Sequence, residues 1–281
     1  MSKVRSAAKI LKNKGPSTLL KKAGIYGLEQ TSVSDNILYQ LSVRDIQKRM
    51  REENELDDIF ETALQYEPGY AEYQVSTSQL QDEIKSLAEL VREHKPENVL
   101  EIGTLDGGTF YIWCRYLETA TQLTSLDLPG GEFGGGYDEQ KIGIFEKFAP
   151  SKDLEFIRAN SHKDSTFEEV NDRINGDVDF LFIDGDHTYE GVKADFEMYK
   201  ELVADDGLIA FHDIVHHPNS EEVVENRRNI PDIEERHLRF GENFSDCNVD
   251  KLWKELASEY ETTEFISHPK QTWAGIGVVH L

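Results

Sequence analysis

Val99-Leu100-Glu101-Ile102-Gly103-Thr104-Leu105-Asp106-Gly107-Gly108-Thr109 decides how this 281-residue chain is read. An apolar run ends in a glycine-rich turn, and the turn opens a helical pattern. Glycine removes the Cβ that would keep a ligand away from the backbone. Glu101 at the strand end and the amides of the following helix together make a polar cradle. A dinucleotide fingerprint would need Gly-x-Gly-x-x-Gly, and the third position of this turn is Leu105, which weighs against a nicotinamide cofactor.

Working outward, Leu80, Ile84, Leu87, Ala88 and Val91 recur at helical spacing, and Pro96 stops that helix before a first strand at Asn98–Ile102. Further strands are predicted at Leu123–Leu128, Leu154–Arg158, Val178–Asp184 and Leu208–His212. Helices alternate with them near Thr109–Leu117, Gly136–Phe148, Phe167–Asn171 and Tyr189–Val203. Such alternation predicts a parallel sheet covered on both faces. Glu264–Ile266 and Gly275–Val279 read as a closing antiparallel hairpin. Upstream, a helix is expected from about Ser42 to Gln65, ending before Pro68-Gly69. Residues 1–75 are thus read as a basic arm and helical extension, and residues 76–281 as one catalytic domain with a substrate-side insertion at 219–248.

With Glu101 ahead of Gly103 and the Gly107-Gly108 pair behind it, the opening segment resembles motif I of class I S-adenosylmethionine-dependent methyltransferases. The resemblance runs from about Gln79 to Leu281. It continues through Leu126-Asp127-Leu128, through Asp179 to Val192 with Ile183-Asp184-Gly185-Asp186-His187 at its centre, through Phe211-His212-Asp213, and through Gly275-Ile276-Gly277-Val278. Within that superfamily it is most similar to the branch of macrocin-type sugar O-methyltransferases and the cephalosporin hydroxylase family. The resemblance implies an α/β, Rossmann-like, doubly wound sheet of seven strands, mostly parallel with a C-terminal antiparallel hairpin. It also implies S-adenosylmethionine as methyl donor.

In open parallel sheets ligands bind beyond the carboxyl ends of the strands, where the strand order reverses. Glu101, ending the first strand, is placed to attract the cationic methionyl part of the donor, and Gly103, Thr104 and Gly107 to give it room. Asp127 ends the second strand, where by resemblance an acid accepts hydrogen bonds from both ribose hydroxyls. Either acid would otherwise cap a turn. Asn160, Ser161 and His162 follow the third strand near the expected adenine edge, with simple turn chemistry as the alternative. The run Gly130-Gly131-Glu132-Phe133-Gly134-Gly135-Gly136 is a lid or a long loop.

Methyl transfer to an alcohol requires a lone pair aligned opposite the leaving sulfur and removal of a proton from an acceptor of high pKa. Asp184 and Asp213 end neighbouring strands, so a divalent cation between them would lower that pKa. By resemblance to metal-dependent sugar O-methyltransferases, Asp184 and Asp213 match metal-ligand positions and Asp186 matches the base. The neighbouring ligand there is commonly Asp, Glu or Asn, and here it is His212 or Ile214. Magnesium prefers oxygen donors, whereas manganese, iron or zinc accept a histidine. Asp186 or His187 would take the proton. The alternatives are that His187 bonds the Asp186 loop and that Asp184 tethers the donor's amine. His216-His217-Pro218 adds a ligand or begins a loop.

The formal charge is −24, from 54 acidic against 30 basic residues. That balance argues against general nucleic-acid binding, which needs a cationic surface, and suggests a halophilic surface that stays hydrated at high salt. An ordinary acidic cytosolic enzyme is the alternative. Cys114 and Cys247 form no disulfide framework and no Cys-x-x-Cys, which fits a reducing cytoplasm. No apolar run is long enough to span a bilayer, and the N-terminus lacks a signal-peptide core.

Charge is uneven, however. Lys3, Arg5, Lys9, Lys12, Lys14, Lys21 and Lys22 precede the first acid, Glu29. This arm would lie peripherally on the inner membrane face, or stay solvated, or dock on the acidic body of its own or a neighbouring subunit in a homo-oligomer. Arg227, Arg228, Arg236, His237 and Arg239 in the insertion suit bidentate capture of an anionic acceptor. Alternatively they pair with Glu221, Glu222, Glu225, Glu234 and Glu235. Tyr66, Tyr70 and Tyr73 would stack on a sugar or, more simply, pack.

The expected activity is therefore O-methyl transfer to a hydroxyl of a small molecule or saccharide, with an anionic sugar and a magnesium or manganese ion as its finer form. Two rival classes share the pattern: a metal-dependent oxygenase, and a non-catalytic binding protein that keeps the fold.

Overall fold

The structure, a computed structural model, describes residues 34–130, 136–218, 233–239 and 246–281. The basic arm, Arg227 and Arg228, and the centre of the glycine-rich run lie outside these residues. Among the described residues no helix is long and apolar enough to cross a membrane.

Strand β1 (Asn98–Ile102) lies inside a seven-stranded sheet, third in its order. Parallel β2 (Gln122–Asp127) and β3 (Asp153–Arg158) extend it on one side, and parallel β4 (Val178–Ile183) and β5 (Val203–His212) on the other. The order is completed by β7 (Ile276–His280), antiparallel to β5, and by β6 (Glu261–Phe265) at the edge, antiparallel to β7. The strand order reverses between β1 and β4, which leaves a crevice beyond their carboxyl ends.

Alternation along the strands divides the core. Val99, Leu123, Phe180, Phe182, Leu208 and Ala210 face one side, and Leu100, Ile102, Leu126, Leu181, Ile209 and Phe211 the other, because successive strand side chains point to opposite faces. The first side is covered by α1 (Ser34–Glu52), α2 (Leu56–Glu61), α3 (Gln81–His94), α4 (Gly108–Tyr116) and α5 (Glu139–Phe145). The second is covered by α6 (Asp164–Arg173), α7 (Tyr189–Tyr199) and α8 (Val249–Glu259). Leu38, Ile46, Ile59 and Phe60, from the extension, belong to the same buried cluster as the sheet.

The expected single helix from Ser42 to Gln65 is corrected. Helix α1 begins at Ser34 and ends at Glu52, because Asp58 Oδ2 accepts the amides of Asn54 (2.7 Å) and Glu55 (3.0 Å) and so starts a new helix. A π turn at Thr62–Tyr66 then closes before Pro68. The helix expected at Gly136–Phe148 is confined to α5, β5 starts five residues earlier than Leu208, and α8 was not anticipated. Tyr73 is buried and edge-on to Tyr39, a packing role.

Candidate active site

The glycine turn after β1 is shaped by protein rather than by an open ligand space. Gly103 has φ +95, and a Cβ there would meet the Asp184 carbonyl oxygen at 2.1 Å. Gly107, at φ +75, would collide with the Phe145 ring at 2.3 Å. These glycines let β1, β4 and α5 close on one another, and Gly103 also lines the crevice. Leu105, itself at φ +47, donates its amide to Asp127 Oδ2 at 2.6 Å and stands exposed at the crevice rim. Burial pushes Asp127 up to about 6, against the lowering effect of the amides of Leu105, Leu128 and Thr104.

Glu101 departs from its expected role. Its side chain shares the Val99 side of β1 and is completely buried, accepting a hydrogen bond from Thr104 Oγ1 at 3.1 Å. Thr104 Oγ1 also lies 2.7 Å from Ser125 Oγ. Burial raises the Glu101 carboxyl to about 8, outweighing the hydrogen bonds from Thr109 and Thr104. At neutral pH it is mostly a neutral acid beneath the turn, and it does not line the crevice.

Asn160 and Ser161 form the turn after β3, where Asn160 Oδ1 accepts the His162 amide (2.9 Å) and the Ser161 carbonyl accepts the Tyr199 hydroxyl (2.9 Å). Asp186 folds toward α7: its Oδ1 accepts the Thr188 amide at 2.8 Å, and it abuts Gly191. Asp186, expected as a base, is thus engaged at the start of α7 and is not among the residues that line the crevice.

That group joins β4 to β5. Asp184 Oδ1 lies 3.3 Å from His187 Nε2 and 3.1 Å from His212 Nδ1, while Asp213 Oδ2 lies 3.2 Å from His187 Nε2 and 3.5 Å from His212 Nδ1. Gln79 Nε2 donates to the other Asp184 oxygen at 2.8 Å, and the Ala274 amide donates to Asp213 Oδ1 at 3.0 Å. Asp213 adopts the left-handed region, φ +63. Burial alone would lower the imidazole pKa values, yet the two carboxylates outweigh it, raising His187 to about 10 and His212 well above its usual range. Burial would likewise raise the two acids, but the His212 charge and the hydrogen bonds from both histidines hold Asp184 below the usual carboxylate range and Asp213 well below it.

Two carboxylates are therefore balanced by two imidazoliums. The two protons supply the charge that one divalent cation would bring, and one donor atom each from Asp184, His212 and Asp213 lies within 4.8 Å of the others. These residues fit a cation that accepts mixed nitrogen and oxygen donors.

The crevice, of about 190 Å³, brings Gly103, Thr104, Asp184, His187, His212 and Asp213 together. Sequence reasoning did not find Gln79 or Trp273 there, and left His217 as an open alternative to a loop. Arg239 also lines the crevice, its guanidinium carbon 3.5 Å from the centre of the Trp273 ring. Arg236 instead pairs with Glu234 (3.0 Å) and Asp82 (3.5 Å).

Residues 100–214 match the family described as "Methyltransferase domain". Two curated relatives are uncharacterised proteins. The one from Sinorhizobium fredii is 30% identical over 44% of this chain and 14% of its own length, and the one from Acanthamoeba polyphaga mimivirus is 29% identical over 41% and 50%. The matches thus span half or less of those relatives. Among solved structures, an O-methyltransferase from Bacillus cereus in complex with SAH superposes with a TM-score of 0.50 at 18% identity, over 87% of this chain and 100% of that one. The O-methyltransferase TomG from Streptomyces achromogenes, in complex with SAM, gives 0.50 at 13% identity over 87% and 98%. Both likenesses concern the fold.

Proposed function

We propose that this chain, whose residues 100–214 match the family described as "Methyltransferase domain" and whose sheet has the order set out above, is an S-adenosylmethionine-dependent O-methyltransferase acting on a hydroxyl of a small molecule or saccharide. The observation that carries this reading is the Asp184–His187–His212–Asp213 group, standing at the strand switch point beside the glycine turn. S-adenosylmethionine, when bound, supplies a methyl group on a cationic sulfur. Asp127 accepts hydrogen bonds from the donor's ribose, and Thr104 and Leu105 shape the wall against which it lies. Asp184 and Asp213 provide negative charge near the reacting centre and orient the acceptor hydroxyl. His187 lines the crevice with its Nε2 facing both carboxylates, so it can receive the hydroxyl proton only after giving up its own, as a cation held by the two carboxylates would require, whereas Asp186 serves the start of α7. A divalent ion held by Asp184, His212 and Asp213 would take over the charge of the imidazole protons and lower the pKa of the acceptor hydroxyl.

Arg239, stacked on Trp273 at the same crevice, supports an acceptor carrying a carboxylate or phosphate. The surrounding acidic surface supports a high-salt cytoplasmic setting. The test is turnover of methyl-labelled donor with panels of neutral and anionic saccharides in molar potassium chloride. Arg239→Gln should raise KM for anionic acceptors alone. Absence of heat on titration with the donor and with its demethylated product would overturn the whole reading.

A further inference from the structure

Beside the carboxylate–imidazole group stands a second set of donors with different chemistry. Asp213, His217 and Cys247 each offer one ligand atom, and these atoms all lie within 4.8 Å of one another. His217 Nε2 is 3.5 Å from Asp213 Oδ1. Asp213 and His217 are buried, Cys247 is half-buried, and all three line the crevice. Cys247 is a free thiol, as is Cys114 deep beneath the sheet.

Three separate pieces of backbone bring the donors together. Asp213 directly follows β5, His217 comes four residues later, and the Cys247 segment is tied in by Asn248, whose amide donates to the His187 carbonyl at 2.8 Å. The Asp213 carboxylate is additionally held by the Ala274 amide, the kind of outer contact that orients a ligand. Around a tetrahedral ion with bonds of about 2.0–2.3 Å, donor atoms stand roughly 3.5 Å apart. The present spacing, within 4.8 Å, closes onto such an ion through a shift of at most about 1.3 Å between donors.

We propose that Asp213, His217 and Cys247 form a binding site for zinc, with the fourth position open to the crevice. Thiolate and imidazole together select a borderline-soft ion, whereas a hard ion such as magnesium takes oxygen donors. Three protein ligands with one open position are the pattern of zinc sites that receive a substrate oxygen rather than of closed structural sites. The thiol gives its proton to solvent as the sulfur–metal bond forms. The inference does not depend on methyl transfer, since neither the donor set nor its test involves the methyl donor. It differs from a cation held by Asp184, His212 and Asp213 in requiring sulfur.

The test uses the full chain loaded with cobalt(II) in place of zinc. The expected result is one bound cobalt per chain, with a thiolate-to-cobalt charge-transfer band in the near ultraviolet. The band should vanish in Cys247→Ser and persist in Asp184→Asn. Zinc affinity of the Cys247→Ser and His217→Ala variants should fall by more than the about 10–100-fold that loss of an outer-shell partner costs. Circular dichroism of each variant checks that it is folded, and the wild-type band is informative without any variant. Cobalt bound with no thiolate band places the ion among Asp184, His212 and Asp213 and overturns the proposal. A band that survives Cys247→Ser, or no bound cobalt at all, overturns it equally.

Discussion

Glu101 should make this protein less stable as the solution becomes alkaline, and the effect is large enough to isolate. Its folded pKa is about 8 against an ordinary value of 4.5, so the folded chain keeps a proton that the unfolded chain releases. Below pH 4.5 both states are protonated and the group contributes no pH dependence. Between 4.5 and 8 stability falls by about 1.36 kcal/mol per pH unit, and above 8 both states are ionised and the loss levels off. From pH 5 to pH 8.5 the loss comes to about 4 kcal/mol, an upper figure because Asp127 contributes to the shift and itself titrates near 6. Glu101→Gln has no proton to release. Its amide meets the surroundings of Oε1, a buried atom without a hydrogen-bond partner, and so the variant carries a constant offset in stability. The offset cancels when the wild-type and variant pH profiles are subtracted. Urea unfolding of both proteins at pH 5 and pH 8.5 is the assay. A difference that changes by less than about 1 kcal/mol between the two pH values would refute the buried, neutral Glu101 described above.

Asp127→Ala should weaken donor binding about 10–100-fold by calorimetry, the worth of hydrogen bonds to a charged group; wild-type affinity should also decline as the pH drops through about 6 and Asp127 takes up a proton. Glu83→Ala should cost about 2–4 kcal/mol in urea unfolding, because Glu83 is buried on α3 and accepts from the amides of Ser267 (2.9 Å) and Gly275 (2.8 Å) and from Gln271 Nε2 (2.8 Å). If Glu83→Gln loses as much, charge rather than geometry dominates those contacts. Raising potassium chloride from 0.1 M to 2 M should increase the melting temperature, since a net charge of −24 repels itself less when the screening length shrinks from about 10 Å to a few ångström; a flat or falling profile contradicts adaptation to salt.

The sheet was readable from sequence because each buried strand is a short apolar run and its helices repeat at 3.6 residues, as in Val99–Ile102 and Leu80–Val91. The carboxyl-end acids Asp127, Asp184 and Asp213 were readable for the same reason, since the end of a strand fixes where its next polar residue lies. What failed was local chemistry. The Glu55–Asp58 capping box that divides α1 from α2 was present in the sequence and outweighed the continuous helical pattern. Val249, Leu252, Trp253 and Leu256 carried the spacing of α8, next to an irregular insertion that hid it. Gln79 and Cys247 approach Asp184 and Asp213 only in three dimensions, and no local pattern marks them. Glu101 and Asp186 sit where strand ends suggested, but the side of β1 decides the environment of one and the start of α7 that of the other.

Glu83 reaches across 192 positions of chain to hold the Gly275 amide, and the neighbouring Ala274 amide holds Asp213. The donor side of the crevice is assembled from consecutive elements early in the chain, while the acceptor side waits for the returning hairpin to arrive. Amino-acid changes around Ala274 and Gly275 should therefore shift the Asp213 carboxylate even though they leave the crevice-lining side chains themselves unaltered.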